Sequence, residues 1–203
     1  MKILIATQNK GKIREYQRLF AEVDIEFVGL ADIGLGEMDV DETGTTFEAN
    51  AKIKAQAYAN ESGLWTLADD SGLMVDALNG APGVYSKRYG GHGMKPPAQR
   101  KKMLGELGGL PGEKRGAKFV CVIAIAKPND DEVIMVRGEC PGTIADQEYD
   151  EGNGFGYDPI FIPNGYEKTF GQMPAVMKNG LSHRAVAAEK ALPVLQKMLQ
   201  NTL

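Results

Sequence analysis

Two acidic groupings and one Lys-rich segment in this 203-residue chain have the residue types needed for phosphate chemistry. Asp69-Asp70-Ser71-Gly72 follows the apolar run Leu64-Trp-Thr-Leu-Ala68, and the ends of strands are where open α/β sheets present site residues. Neighbouring strand residues face opposite ways, so Asp69 and Asp70 need not act together. One can hold a metal or activate water while the other anchors the turn. Paired carboxylates are the oxygen-rich setting that Mg²⁺ prefers, and Asp41-Glu42-Thr43-Gly44 is a second pair. At the opposite sign of charge, Thr7-Gln8-Asn9-Lys10-Gly11-Lys12 joins a short apolar strand to a helical pattern. First-turn N–H groups of a helix lack intrahelical partners, and the dipole there favours an anion. Lys10 and Lys12 add point charges, and Thr7 and Asn9 add side-chain donors. The plainer readings are an Asx-turn, a solvated acidic loop and an ordinary strand-to-helix turn.

Two later segments invite a ligand as well. Gly152-Asn-Gly-Phe155-Gly156-Tyr157-Asp158-Pro159 sets two aromatics among three glycines, which let backbone approach a ligand closely. Phe155 or Tyr157 could stack on a nucleobase, an interaction worth about 1–3 kcal/mol. No helical pattern follows, so a dinucleotide-binding glycine loop is rejected. The competing reading is a tight turn with core aromatics. In Lys178-Asn-Gly-Leu-Ser182-His183-Arg184, Ser182 can cap a helix whose first turn then holds His183 and Arg184. Cations there oppose the dipole, which points to an anion or polar ligand nearby, with simple solvation as the alternative. Other schemes fail: there is no GxxxxGK[ST], only His92 and His183 are present, and no GxSxG elbow supports a Ser71–His183–Asp triad.

These residues need a scaffold, and the pattern supplies an alternating one. Lys2–Ala6 reads as a strand, Gly11–Phe20 as a helix and Glu26–Leu30 as a strand. Thr45-Thr-Phe-Glu48 has the form of a capping box, opening a helix with Phe47, Ala51, Ala55 and Tyr58 on one face. Leu64–Ala68 is a strand ending on Asp69, Leu73–Leu78 is extended, and Asn79–Gly83 is a turn. After the loop Gly90–Pro97, a short basic helix runs to about Leu107. Ala117–Ala126 and Glu132–Cys140 form a hairpin around Pro128–Asp131. Pro159–Ile162 is a short buried strand. The last helix runs to about Gln200 with Ala188, Leu192, Leu195 and Leu199 on one face and a kink expected at Pro193. The class is α/β with a mixed sheet.

Composition bounds the rest. Hydrophobic content of 43% and charged content of 25% are those of an ordinary globular chain long enough for a real core. No apolar run reaches the ~18 residues a membrane helix needs, and no signal peptide is visible, so a cytoplasmic protein is expected. Cys121 and Cys140 match no zinc spacing and read as buried, reduced thiols. The net charge of −4 is uneven: nine carboxylates and no Lys or Arg lie between Leu19 and Ala51, and seven basic residues lie between Lys95 and Lys118. A pI near 5.3 argues against a nucleic-acid partner.

Taken in order, the motifs Thr7–Lys12 with Glu15, Asp41–Gly44 with Phe47-Glu-Ala-Asn50-Ala-Lys52, Ala68–Gly72, Gly80–Gly83 with Ser86, Arg88 and Tyr89, Phe155–Pro159 and Ser182–Arg184 resemble those of the inosine/xanthosine triphosphate pyrophosphatases. The resemblance runs from Lys2 to the final helix. It implies one pyrophosphatase domain over residues 1–203, with an elongated central mixed sheet flanked by helices and two lobes with a substrate cleft between them. It also implies a homodimer, Mg²⁺, and cleavage of deaminated purine triphosphates (dITP, ITP, XTP) to monophosphate and pyrophosphate. By position, Thr7, Gln8, Asn9, Lys10, Gly11 and Lys12 would hold phosphate. Asp70 would be general base and metal ligand, with Asp41 or Glu42 the remaining metal carboxylate, and Ser71 would touch substrate. Phe155, Gly156, Tyr157, Asp158, Lys178, His183 and Arg184 would form the base and ribose pocket. Departures are Gln8 in place of a common Gly, Asp41 in place of Glu, and a less acidic lead-in to Lys178. A same-fold pyrophosphatase for pyrimidine or modified nucleotides and a nucleotide sensor without turnover are the alternatives.

Overall fold

The computed structural model describes residues 1–200 and contains one mixed sheet. Its strands are β1 (Lys2–Ile5), β2 (Glu26–Gly29), β3 (Trp65–Val75), β4 (Gly116–Ala126), β5 (Val133–Ile144) and β6 (Phe161–Pro163), ordered β2-β1-β3-β4-β5-β6. The helices are α1 (Lys10–Leu19), α2 (Phe47–Ser62), α3 (Pro96–Glu106), α4 (Ala175–Asn179) and α5 (His183–Gln200). β1 pairs in parallel with β2 and β3, whereas β5 and β6 are antiparallel. The mixed α/β class follows directly. No helix among the described residues is long and apolar enough to cross a membrane.

Two compact units partition the chain. The first comprises Met1–Asp70, Cys121–Gly138 and the chain from Arg184 onward. Its core joins Ile3, Ile5 and Leu67 to Cys121, Ile123 and Ile125, under Tyr16 and Phe20 of α1 and Ala187, Ala191 and Leu195 of α5. The four apolar positions expected on one face of α5 all meet this core. Pro193 lies inside the helix and is exposed. The second unit comprises Ser71–Val120 and Glu139–His183. Its core gathers Leu73, Val75, Phe119, Ile144, Phe161 and Phe170 with Met103 of α3.

Four local expectations change. β3 does not end at Asp69 but runs through Asp69-Asp70-Ser71-Gly72 to Val75, because both carboxylates find buried partners and the strand need not break. β5 continues past Cys140 to Ile144, with Pro141 falling just outside its paired stretch with β6. Pro159 sits in a 3₁₀ turn over Asp158–Ile160, since its ring fixes a helical φ, and the strand starts at Phe161. The α2 cap is Thr46, whose hydroxyl accepts from the Ala49 N–H, one residue beyond the Thr45 box. α4 has five residues, too few to show a period.

Candidate active site

Strand alternation sends Asp69 and Asp70 to different partners. Asp69 is 3% exposed and its Oδ2 meets Lys12 Nζ of α1 at 2.8 Å and Arg184 Nε of α5 at 3.8 Å. Arg184 also donates to Glu15 Oε2 at 2.6 Å. The result is two carboxylates and two cations packed together in the first unit. Burial alone would raise the Asp69 carboxyl, but Lys12, Arg184 and Lys54 outweigh it and hold it at about 2. Arg184 is driven further above its usual value by Glu15 and Asp69 despite its burial. The simple solvation considered for Arg184 is therefore overturned: it is 2% exposed. Cys121 also reaches Asp69 (Sγ to Oδ2 3.8 Å), and burial with that negative charge lifts its thiol to about 12.

Asp70 looks to α2. The periodic face of α2 buries Phe47, Ala51, Ala55 and Ala59, and this orientation brings Asn50 and Lys54, one turn apart, to the carboxylate. Asn50 Nδ2 donates to Asp70 Oδ2 at 3.1 Å, while its Oδ1 accepts from the Gly44 N–H at 2.8 Å. A Cβ at position 44 would come within 2.7 Å of Asn50 Oδ1 and of the Ala49 Cβ, so glycine is what lets the acidic loop approach α2. Lys54 Nζ lies 2.6 Å from Glu42 Oε1 and 3.6 Å from Asp70 Oδ1, one ammonium between two carboxylates. Burial raises the Asp70 carboxyl above its usual range and Glu42 adds to this, with Lys54 opposing. Lys54 itself is held above its usual value, since Asp70, Asp69 and Glu42 outweigh burial. Neither Lys54 nor the Asn50 bridge was anticipated from sequence. The available signal was their four-residue spacing on a capped helix.

The Lys-rich segment is built differently from the expectation. Helix α1 begins at Lys10, and Asn9 caps it, its Oδ1 accepting from Gly11 N (2.8 Å) and Lys12 N (3.3 Å). Two of the first-turn N–H groups expected to be open are thus engaged by the cap. Thr7 Oγ1 accepts from Asn9 N at 3.2 Å, and Gln8 Nε2 donates to the Gly36 and Met38 carbonyls. Gln8 in this way ties the first loop to the acidic one. Lys10 is exposed, and Lys12 is held by Asp69.

The second unit carries the aromatic segment. Asp158, 3% exposed, accepts from Phe155 N and from Lys178 Nζ, each at 2.7 Å. Lys178 Nζ lies 4.8 Å from the Phe155 ring centroid and 5.5 Å from that of Phe170. Phe155 is 42% exposed, but Tyr157 is buried in the core with its hydroxyl donating to Ser86 O at 2.9 Å. Of the two stacking candidates, Phe155 is the exposed one and Tyr157 the buried one. His183 stacks on Phe119, centroids 4.7 Å apart at 13°. Ser71 follows Asp70 in β3 and is half-buried, and Ser182 is fully buried ahead of α5.

A hard divalent cation is implied by the sequence, and the donor set can be tested for it. Among the described residues no three His, Cys, Asp or Glu side chains gather as a ready cage. Glu42 and Asp70 already share one cation, the Lys54 ammonium, and Asp41 is exposed. Mg²⁺ is usually held by one or two carboxylates, with water and substrate phosphates completing the octahedron, so this pair fits it.

Fold and site together define an α/β protein with an acid–lysine centre suited to an anionic, cation-bound ligand. The model of the Ham1 family matches residues 3–194, and the chain belongs to that family. It is 43% identical over 198 residues to the dITP/XTP pyrophosphatase of Oceanobacillus iheyensis, covering 98% of each chain. It is 47% identical to the dITP/XTP pyrophosphatase of Lactobacillus acidophilus, covering 96% of each. A solved HAM1 protein from Coxiella burnetii superposes with a TM-score of 0.88 at 39% identity, over 97% of this chain and 99% of that one.

Proposed function

We propose that the chain is a Mg²⁺-dependent nucleoside triphosphate pyrophosphatase that hydrolyses dITP, ITP and XTP to the monophosphate and pyrophosphate. The names of its relatives support the reaction class. The observation that carries the reading is the buried Asp70 carboxylate, oriented by Asn50 and facing Glu42 across Lys54. Glu42 and Asp70 would hold Mg²⁺, and the ion would supply charge neutralisation at phosphate oxygens and orientation of the leaving group. Asp70 accepts the proton of the water that attacks in line, and the bond between the α and β phosphates breaks with departure of pyrophosphate. Lys54 and Lys12 supply positive charge to the polyphosphate, and Asp69 fixes where the Lys12 ammonium stands. Lys10 and the Thr7–Gly11 backbone extend that phosphate site.

Base choice belongs to the second unit. Lys178 has donors and no acceptor, so it pairs with a 6-keto purine and leaves a donor facing the amino group of adenine. Phe155 supplies a stacking face, with His183 and Ser71 as further substrate contacts. Arg184 donates to Glu15 and is ion-paired with Asp69, which makes it an anchor of the phosphate side. A cytoplasmic homodimer is part of the same reading. The test is pyrophosphate release with Mg²⁺ on dITP, XTP, dATP, dGTP and dTTP. The expected result is rapid turnover of dITP and XTP with dATP at least 100-fold slower, and almost complete loss in a folded Asp70→Asn variant. Equal rates on dATP and dITP, or preference for dTTP, would overturn it.

A further inference from the structure

The basic run from Lys95 to Lys118 has no part in the reading so far, yet two of its members, Arg100 and Arg115, are buried. Arg100 is 9% exposed, with NH1 donating to the Gly156 carbonyl at 2.8 Å and NH2 to Glu148 Oε2 at 2.9 Å. Its Nε is buried without a hydrogen-bond partner among the described residues. A buried guanidinium with an unmade bond is a poor device for stability, since apolar replacements of buried ion pairs are often neutral or better. What the residue does supply is a fixed direction for one peptide group.

That peptide lies in the Phe155–Asp158 loop. Gly156 has φ +61°, a region glycine enters freely, and glycine enters the mirror region as easily. Its backbone is therefore the softest point of the loop. A trans peptide points its N–H opposite to its C=O, so the bond from Arg100 to Gly156 O also fixes the direction of the Tyr157 N–H. The flanking residues are pinned by other means: Phe155 N and Lys178 Nζ by Asp158, and the Tyr157 hydroxyl by Ser86 O. The preceding residue of α3, Gln99, holds the carbonyls of Lys87 and Tyr89, each at 3.1 Å. The first half of α3 thus acts as a clamp on loop carbonyls, and Arg100 closes it on the loop that faces the base.

We propose that Arg100 is a positioning residue for nucleobase selection, fixing through the Gly156 carbonyl the arrangement in which the Phe155–Asp158 loop meets a 6-keto purine. This rests on the function proposed above. It acts without touching substrate, so its loss weakens binding of the preferred base and leaves the hydrolytic step intact.

The experiment is steady-state pyrophosphate release with dITP and dATP for the wild type, Arg100→Met and Arg100→Lys, with circular dichroism and thermal melting as folding controls. Arg100→Met keeps an unbranched apolar stem and removes every donor. Its expected result is a KM for dITP raised about tenfold with kcat within twofold of wild type, and a dITP-to-dATP preference in kcat/KM narrowed about tenfold. A folded Met variant with wild-type KM and preference overturns the proposal, as does one in which kcat falls equally for both nucleotides at unchanged KM. Should the Met variant not fold, Arg100→Lys decides. A single ammonium cannot reproduce the fork on Glu148 and Gly156, so a preference narrowed about threefold is expected, and an unchanged preference overturns the proposal. A wild type that does not favour dITP over dATP fails the functional reading instead, and the wild-type arm separates the two.

Discussion

Lys54 is the residue whose placement says most about the chemistry. An ammonium 2.6 Å from Glu42 and 3.6 Å from Asp70 relieves the repulsion between the two carboxylates. Lys54→Gln keeps most of the side-chain length and removes the charge. Loss of one preorganised charge at a reacting centre typically costs about 10²–10³ in kcat, and a fall of at least 10² is expected here. Pyrophosphate release from a variant with wild-type circular dichroism measures it, and a loss under fivefold would show that the ammonium is only a structural counter-ion. Asp69 and Asp70 illustrate what a sequence can disclose about such residues. Their divergence follows from strand alternation alone. Which of them would take a lysine from α1 and which from α2 does not, because the partners are 57 and 16 residues away in sequence.

At the scale of elements, α2 and the loop before it form one device. The capped helix aims Asn50 and Lys54, and Gly44 lets the acidic loop settle against them. Gly44→Ala forces a Cβ to within 2.7 Å of Asn50 Oδ1 and 3.0 Å of the Asn50 backbone nitrogen, so the loop must retreat. A destabilisation of about 1–3 kcal/mol is expected in urea titration, with a drop in kcat because Asn50 loses one of its two fixed bonds. Unchanged stability and kcat would mean that the loop tolerates the methyl. Much of this element was legible in the chain: the periodic face of α2 and the approximate cap came from pattern. The passage of β3 through Asp69–Gly72 was not, since Asp and Gly argue locally for a turn and only buried partners reverse that. Arg100 was equally hidden. It sits in a basic run of ordinary appearance, and its partners are 48 and 56 residues away.

The whole molecule keeps several protons that an unfolded chain would release. Burial, then Asp69, lifts Cys121 from 9.0 to about 12, burial lifts Cys140 to about 11, and burial with Asp69 lifts Tyr16 well above its usual value. For an acid whose folded value is raised, the folded form holds more protons than the unfolded one between the two values. Stability is then fully present below the unfolded value and declines as pH rises through the folded one. The urea midpoint is expected to hold up to about pH 9 and to fall steadily from there towards pH 12. Cys121→Ser, which cannot ionise in this range, should show a shallower fall even where its stability at pH 7 is lower. A wild-type midpoint that is flat between pH 8 and 11 would contradict the burial of these groups. The same thiols are expected to resist alkylation until the chain is unfolded, since thiolate is the reactive form.

The cluster of Lys12, Glu15, Asp69 and Arg184 also sets a timetable. Glu15 and Asp69 leave the ribosome early, and the guanidinium that joins them is encoded 115 residues after Asp69. At roughly 5–20 residues per second, the growing chain spends about 6–23 s with Asp69 made and Arg184 still to come. During that interval the nascent polypeptide has Lys12, Glu15 and Asp69 but not the helix whose Arg184 pairs with the two carboxylates. An incomplete chain that stops before α5 therefore lacks the guanidinium that pairs with Glu15 and Asp69.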